Sequence, residues 1–305
     1  MKRLAVLLTT VALLAAGCAD PRSGTLGPAP TAAPPPAAPT AATPATVPTT
    51  APARTTGPPP TPASPAPRPP TARTATPDPT GTVALQLWFV RDGTVAPTRR
   101  NRPATVATSR LALTELAAGP TPAEAATGLA TLIPAGVEVA RIADGTATVV
   151  PPASFADPDP RTLRLRRAQV VWTLTQFPTV RRVAFTGGTS DVVLARSDLA
   201  DLLAPIVVTE PAVGQRVAGT VTVAGTADVY EATVSVRVLD GAGRVVGAGF
   251  TTATCGSGCR GDYRTTVAYR LAAPGGGAIE VYEVSPRDGS RQHVVTIPVV
   301  LAATT

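Results

Sequence analysis

The chain has 305 residues, enough for two domains of ordinary size, but more than half of its 35 prolines lie between residues 18 and 80. One histidine, three cysteines and an aromatic content of 4% count against most metal centres and histidine-based triads. Residues 81–305 carry 21 arginines against 18 acidic residues, a net charge of +3, without the one-sided basicity of nucleic-acid-binding proteins. The sequence therefore predicts no nucleic-acid partner, no metal, no cofactor and no catalytic residue.

The first 17 residues have the pattern of an export signal. A positively charged start at residues 1–3 precedes an apolar run of 13 residues at 4–16, which is too short to span a membrane. The run ends in LAAGC, which resembles the lipobox of bacterial lipoproteins, although Ala15 stands where leucine is commoner. The resemblance implies lipidation of Cys18 and a protein anchored to the outer face of the cell membrane. An ordinary secretory leader with a chance cysteine is the alternative.

Residues 18–80 form a segment rich in proline, alanine and threonine, without apolar periodicity. Such a segment cannot bury enough apolar surface to offset its ordering entropy, so we expect a disordered linker. The 62 residues after Cys18 would reach at most about 190 Å as a polyproline II helix. The linker could therefore hold the folded part well away from a membrane.

The hydrophobic pattern between residues 82 and 204 alternates between strands and helices. In chain order it predicts a strand at 83–90, a helix at 105–118, a hairpin of strands at 137–142 and 147–150, a helix at 159–177 and a strand at 180–186. Asp159 can cap the second helix, and Pro160 suits its first turn. The order β-α-β-β-α-β favours one sheet with both helices on one side, a domain of the α+β class.

Residues 205–305 change to short alternating strands separated by glycine- and proline-containing turns. The predicted strands lie at 217–223, 233–239, 245–250, 263–269, 279–284 and 294–300. Short strands at this spacing favour an all-β sandwich.

Two segments of the first unit resemble the GerMN domain of sporulation and spore-germination proteins. One is LAAGPT at 116–121, followed by Glu124, and the other is AQVVWTLTQFP at 168–178. Segments of the second unit, including VAGTA at 223–227 and VYEVSP at 281–286, resemble the immunoglobulin-like domain of bacterial spore germination. Together the resemblances imply a non-enzymatic lipoprotein that helps to assemble or stabilise complexes of the cell envelope.

The second helix carries the candidate interaction residues, which are Arg164, Arg167, Gln169 and Trp172. With Arg161 and Arg166, the two arginines form a basic helix face that is either solvated or a docking site. The alternatives for the other two candidates are structural. Gln169 would satisfy backbone groups of the adjacent loop, and Trp172 would lie half in the core.

An alternative function is the binding of a cell-wall polymer or a small ligand. It predicts an exposed aromatic platform drawn from Trp88, Trp172, Tyr230 and Tyr282. A pair of cysteines, Cys255 and Cys259, closes a glycine-rich loop, and in an exported protein such a pair favours a disulfide. A metal site there lacks partners, because His293 is the only histidine.

Overall fold

The computed structural model describes residues 81–157, 159–187 and 191–304. The predicted signal peptide at 1–17, Cys18 and the linker at 18–80 lie outside the described residues. The described residues build two hydrophobic cores, one containing Leu85 and Phe185 and the other containing Ile206 and Leu301. None of the helices within these ranges is long and apolar enough to cross a membrane.

The first domain mixes strands and short helices, which confirms the α+β class. Its elements are β1 (Thr82–Arg91), β2 (Thr94–Pro103), α1 (Thr108–Ala118), α2 (Pro122–Ala125), β3 (Glu138–Ala143), β4 (Thr146–Val150), a 3₁₀ turn (Ala153–Phe155), α3 (Pro160–Leu174), β5 (Arg182–Phe185), β6 (Val192–Leu194) and a 3₁₀ helix (Arg196–Leu202).

The strands of this domain form two sheets, so the prediction of one sheet was wrong. Strands β1 and β2 pair as an antiparallel hairpin, whereas the second sheet has the order β3-β4-β5-β6. In that second sheet, β4 and β5 are parallel and the other pairs are antiparallel. The physical reason is the tight turn at Asp92 and Gly93, whose positive φ angles of 50° and 72° return the chain directly onto β1.

The sequence prediction missed β2, because its polar residues and two prolines resemble a loop. Residues 94–103 read TVAPTRRNRP, yet Thr98 and Arg100 of this strand are buried. Arg100 ion-pairs with Glu124, and its Nη1 lies 2.9 Å from Glu115 Oε2. Arg102 Nε lies 2.6 Å from the other oxygen of Glu115. The strand is therefore stabilised by acidic residues of α1 and α2.

Glu124, which is part of the motif at 116–124, organises the turn that carries it. Its carboxylate accepts hydrogen bonds from the backbone N–H of Thr121 at 2.7 Å and from the hydroxyl of Thr98 at 3.0 Å. The Thr121 hydroxyl in return accepts the backbone N–H of Glu124 at 3.3 Å, which completes a capping box. The motif is explained by folding, without a bound ligand.

We expect this network to make the first domain sensitive to acid. Hydrogen bonds from Arg102 hold the pKa of Glu115 below its ordinary value of 4.5. Burial raises the pKa of Glu124, but hydrogen bonds from Arg100 and Thr121 outweigh burial, so that the net pKa is lowered.

A carboxylate whose pKa is lower in the folded state adds stability that is fully present above the unfolded pKa and is lost as the pH falls through the folded pKa. The free energy of unfolding should therefore be flat from pH 7 to about 5 and fall below the ordinary value of 4.5. Denaturation series at several pH values would measure this, and Glu124→Gln should flatten the fall. An unchanged fall in that variant would contradict the assignment.

The second domain is an all-β sandwich, as predicted. Its strands are β7 (Ile206–Glu210), β8 (Arg216–Val217), β9 (Thr220–Ala227), β10 (Thr233–Asp240), β11 (Val245–Thr252), β12 (Gly261–Ala268), β13 (Gly275–Val284) and β14 (Arg291–Leu301). One sheet has the order β11-β10-β13-β14-β8, and the other has the order β12-β9-β7. Alternate residues along β9, β10 and β13 are buried between the sheets.

The two domains contact each other through β2 and β7. Val207 of β7 packs into the first core, and Arg99 Nη1 lies 2.9 Å from Glu210 Oε1. Arg260 of the second domain donates a hydrogen bond of 2.7 Å to the carbonyl of Ala204, where one domain passes into the other.

Candidate functional site

Helix α3, which carries the predicted interaction residues, begins as the sequence predicts. Asp159 accepts hydrogen bonds of 3.1 Å from the backbone N–H groups of Arg161 and Thr162, and Pro160 occupies the first turn. The helix ends at Leu174, three residues before the predicted end at Phe177. The side of α3 that faces the core packs against β1. The candidate residues therefore contact core residues on that side of the helix and residues of other elements on its opposite side.

Two of the four candidates belong to the core. Gln169 is fully buried, where its Oε1 accepts a hydrogen bond of 2.9 Å from Leu132 N and its Nε2 donates one of 3.1 Å to Trp88 O. Trp172 is 9% exposed, its ring centroid lies 4.7 Å from that of Trp88, and the Arg196 guanidinium covers it at 4.6 Å. Gln169 thus forms hydrogen bonds with backbone groups, including one of the adjacent loop, as the structural alternative predicts. Neither Gln169 nor Trp172 is an exposed docking group.

The arginines of the predicted basic face contact different elements of the domain. Arg161 donates a hydrogen bond of 3.0 Å to Gly93 O, and Arg164 pairs with both oxygens of Asp201 at 2.9 and 3.0 Å. Arg166 donates to the carbonyls of Leu132 and Phe155 at 3.0 and 2.8 Å. Arg161 and Arg164 remain exposed to solvent while they make these contacts, as the solvated alternative has it, whereas Arg166 is partly buried. Helix spacing does not reveal their acceptors, which lie on other elements.

The fourth arginine, Arg167, faces an open groove in the first domain. The groove has a volume of about 580 Å³. It is lined by Pro151, Pro152, Ala153, Phe155, Ala156, Leu163, Arg167, Phe185, Thr186 and Gly187.

The groove lies at the carboxyl ends of two parallel strands. Strands β4 and β5 end side by side at residues 150 and 185, and residues that follow each strand, 151–153 and 186–187, line the groove. Crevices at this edge of a parallel pair are common ligand sites in open sheets. Phe185 at the end of β5 stacks on Phe155 of the 3₁₀ turn, with ring centroids 5.8 Å apart. Arg166 fixes that turn against α3 by binding its carbonyls.

Among the lining residues that the structure describes, Arg167 carries the only charged side chain. It lies one helical turn from Leu163, so the two share a face of α3. Its Nε is buried and has no hydrogen-bond partner. Three other nitrogens among the described residues are buried and unpaired in the same way, those of Trp88 Nε1, Trp172 Nε1 and Arg237 Nε, so this feature does not by itself mark a ligand site.

A second candidate surface, which the sequence analysis missed, lies on the outer side of the five-stranded sheet. Ser235 of β10 is opposite Phe250 of β11 and opposite Tyr282 of β13, so all three side chains project from the same face. Phe250 is 73% exposed. The alternation in VVGAGFTT at 245–252 is the signal that could have revealed an outward Phe250.

Two arginines surround Tyr282 on this face. The guanidinium carbons of Arg237 and Arg291 lie 5.5 and 5.9 Å from the centroid of its ring. Both arginines also ion-pair with Glu280, which Arg291 Nη1 approaches to 2.9 Å. Two cations thus share one carboxylate, and the cluster carries a net charge of +1.

Two family models match the chain and cover its two domains in order. The model described as "Sporulation and spore germination" matches residues 76–188. The model described as "Immunoglobulin-like domain of bacterial spore germination" matches residues 205–290. The chain joins a GerMN-like domain to an immunoglobulin-like domain. The resemblances found in the sequence are thereby confirmed.

Solved structures similar to this chain include two of the sporulation protein GerM from Bacillus subtilis. Its first GerMN domain is 24% identical, with 36% of this chain and 86% of that chain covered and a TM-score of 0.31. Its tandem GerMN domains are 16% identical, with 74% and 62% covered and a TM-score of 0.34. A putative lipoprotein from Clostridium perfringens is 18% identical, with 43% and 98% covered and a TM-score of 0.25. No curated protein matches the chain.

The four aromatic residues predicted as a platform do not form one. Trp88 and Trp172 lie in the core of the GerMN-like domain, at 3% and 9% exposure. Tyr230 and Tyr282 belong to the immunoglobulin-like domain, where Tyr230 is half exposed and Tyr282 is partly covered by arginines. The hydrophobic pattern could not tell a core tryptophan from an exposed one, because both occur on amphipathic elements.

The cysteine loop lies in the immunoglobulin-like domain between β11 and β12. The structure bonds Cys255 to Cys259, and the Cα atoms are 5.7 Å apart. In the part of the chain that the structure describes, no group of three or more His, Cys, Asp or Glu residues is placed to hold a metal ion. His293 lies 3.6 Å from the carboxylate of Glu283 on the same domain.

Proposed function

We propose that this chain is a lipid-anchored protein of the cell envelope that acts without catalysis, by binding another envelope protein. The observation that carries the proposal is the outer face of the five-stranded sheet, defined by Phe250, Tyr282, Arg237 and Arg291. It combines an exposed aromatic ring with two arginines. Aromatic and arginine side chains are the residues most enriched at the energetic centres of protein interfaces.

The extracytoplasmic location is supported by the sequence around Cys18. Two or more acyl chains hold a protein on a membrane stably, whereas a single chain does so only marginally. The proline-rich linker would let the two domains reach partners at a distance from the membrane. The matched families are domains of sporulation and spore germination, which suits a role in assembling envelope complexes.

The charge of the outer face specifies the partner further. Arg237 and Arg291 share the carboxylate of Glu280, so one positive charge is left over beside apolar surface. A partner that presents a carboxylate next to an apolar side chain would complement both features. Opposite potentials across an interface guide association and exclude partners of like charge.

The proposal can be tested by crosslinking in intact cells. A photoreactive phenylalanine analogue replaces Phe250 in the full chain, and the matched control carries it at exposed Thr266, on the outer side of the other sheet. We expect protein adducts from position 250 and not from position 266. Arg291→Glu should remove most of the adduct, because it reverses the charge beside Tyr282.

Three further results decide the remaining parts of the proposal. In the same cells, Cys18→Ala should release the chain from the membrane fraction and lower the adduct yield. Adducts that form equally from both positions would overturn the role of the outer face. Retention of the purified chain by cell-wall polymer alone, sensitive to Arg291→Glu, would replace the protein partner with the polymer.

A further inference from the structure

We propose that the free edge of strand β11 pairs antiparallel with the same strand of a second copy of this chain, which joins two five-stranded sheets into one. The juxtaposition that assigns this interface is an uncharged strand at the end of a sheet, with the exposed Phe250 at the centre of its free edge. The inference concerns the backbone of β11 and does not rest on the envelope partner of the proposed function.

The backbone groups of β11 alternate between those that face β10 and those that face away from it. Ala253 N donates a hydrogen bond of 2.8 Å to Ala232 O, and the register between the two strands is constant from residue 252 to residue 247. In an antiparallel pair every second residue bonds to its neighbour, so residues 247, 249 and 251 bond to β10. The N–H and C=O groups of Ala248, Phe250 and Thr252 therefore point away from the sheet.

These outward groups form the free edge. Strand β11 is the last strand of its sheet, and no hydrogen bond within the described part of the chain uses the outward groups of Ala248, Phe250 and Thr252. Val246 O accepts a hydrogen bond of 3.2 Å from Arg270 N, so the free edge begins after that residue. The side chains of the three free positions are exposed and uncharged. An exposed edge of this kind is a template for another strand.

The free edge of β1 shows how the same chain closes an edge where no strand follows. Gln176 on the segment after α3 bonds to both backbone groups of Gln86, at 2.8 and 2.9 Å. Thr173 and Gln169 of α3 do the same for Trp88, at 3.1 Å each. Side chains of α3 and of the segment after it thus take the place of a neighbouring strand.

The other described edges carry features that discourage pairing. Strand β12 presents the exposed charges of Asp262 and Arg264, and β3 presents Glu138 and Arg141 beside a register shift. Strand β2 contains two prolines, and β8 and β6 have two and three residues. Charges, prolines, irregular register and short length all protect sheet edges. Strand β11 has eight residues and none of these features at its three free positions.

The symmetry of the free edge favours a second copy over an unrelated strand. The three outward positions are evenly spaced about Phe250, so a twofold axis at that residue pairs 248 with 252, 250 with 250 and 252 with 248. Each pair exchanges two hydrogen bonds, about six in all. A shift of two residues in either direction leaves Ala248 or Thr252 without a free counterpart. An interface that uses the same groups of both copies closes on itself as a dimer.

The side chains on the outer face suit this pairing. Phe250 is 73% exposed in the single chain, and in the pair the two Phe250 residues lie opposite each other, with Cα atoms about 5.5 Å apart. The two rings would then cover each other, which removes exposed apolar surface from water. Ala248 lies opposite Thr252, so no like charges meet along the shared edge.

The GerMN-like domain leaves this edge accessible. It contacts the second domain through β7, which lies at the end of the three-stranded sheet. The opposite end of that sheet is β12, the strand that packs beneath β11. The first domains of two copies would therefore lie on the outer sides of the dimer.

The test measures the mass of the purified full chain by sedimentation velocity at rising concentration. The chain carries Cys18→Ala, so that neither acyl chains nor this thiol can join two copies. We expect a reversible equilibrium between monomer and dimer. Ala248→Pro should weaken the dimer at least about tenfold, because it removes one shared hydrogen bond per copy. Ala248→Ser, the matched control, should change the dissociation constant less than twofold.

A second proline variant keeps the test independent of one substitution. Thr252→Pro removes the outward N–H at the other end of the free edge and should also weaken the dimer at least about tenfold. Proline is tolerated on an edge strand where the N–H it replaces faces solvent, as at both positions. Thermal unfolding would verify that the variants are folded.

Single cysteines test the register. Phe250→Cys brings two thiols together across the axis with Cα atoms about 5.5 Å apart, within the range of a disulfide. Thr252→Cys on the same strand places them about 14 Å apart, because each lies opposite Ala248 of the other copy. Mild oxidation should therefore give a covalent dimer from position 250 and little from position 252. The parent chain, which retains Cys255 and Cys259, measures the background.

The remaining outcomes overturn the inference. Sedimentation as a monomer up to about 1 mM, an equally stable dimer in folded proline variants, or equal crosslinking from positions 250 and 252 would each exclude the β11 interface. A monomeric chain whose Ala248→Pro variant loses its adducts to other proteins in cells would assign the edge to a strand of another protein.

The two proposals fail separately. An adduct between two copies of this chain, formed in cells from the photoreactive residue at position 250, supports the β11 interface and not the envelope partner. A dimer of the purified chain without adducts to other proteins in cells would leave this interface standing and contradict the proposed function. Adducts to other proteins from a strictly monomeric chain would do the reverse.

Discussion

Replacing Arg100 by methionine should lower the free energy of unfolding of the GerMN-like domain by about 3–5 kcal/mol. The guanidinium and the carboxylate of Glu124 are both almost fully buried, at 7% and 6% exposure of the side chains. Methionine fills a similar volume but leaves the carboxylate without its cation, and an uncompensated buried charge is strongly destabilising. Typical domains are stable by only about 5–15 kcal/mol, so the loss would be a large fraction.

The matched control for this variant is Arg102→Met, two residues along the same strand. Arg102 pairs with Glu115 but is one-third exposed, so water can solvate the groups left behind. Its loss should cost about 1 kcal/mol or less. Chemical denaturation, followed by the fluorescence of Trp88 and Trp172, would measure both variants. Equal effects of the two substitutions would show that burial of the ion pair does not contribute as argued.

Replacing Gly225 by alanine should destabilise the immunoglobulin-like domain by about 3 kcal/mol, at the upper end of overpacking effects. The glycine lies on β9 between β7 and β12. An added Cβ would lie 1.8 Å from the carbonyl oxygen of Val207 and 2.8 Å from the hydroxyl of Tyr263. That hydroxyl donates a hydrogen bond of 3.1 Å to the same carbonyl, so the methyl group would disturb the strand and its bond together.

Gly276→Ala provides the control for Gly225→Ala. Gly276 also lies in a strand, β13, but no atom stands within 4 Å of its ideal Cβ. This variant should change the free energy of unfolding by no more than about 0.5 kcal/mol. Thermal or chemical unfolding of the purified chain would compare the two. A Gly225→Ala domain as stable as its control would mean that β7 can shift away at little cost.

The motif residues at 223–227 and at 116–124 thus have structural explanations. Gly225 permits the close approach of β7, and Glu124 joins a capping box to a buried ion pair. The sequence analysis associated both motifs with a family, and the structure supplies the physical reason for the residue types. Their roles do not require a ligand.

Local features of this protein could be predicted from the sequence because they depend on residues a few positions apart. The cap at Asp159, the first turn at Pro160 and the alternation of buried residues along β10 are of this kind. The two-domain order and the class of each domain follow from the same patterns. Each of these features is settled by interactions within one element or one turn.

The partners of polar side chains were decided only by the tertiary structure. Arg100 meets Glu124 across 24 positions, Gln169 meets Trp88 across 81, and Arg99 meets Glu210 across 111. Strand β2 was missed for this reason, since Arg100 is buried only because Glu115 of α1 and Glu124 of α2 lie opposite it. Arg167 differs from its three neighbours on α3 only in what the fold places opposite it. Its unpaired Nε could not be read from the sequence, because hydrogen bonding depends on distances that the fold alone creates.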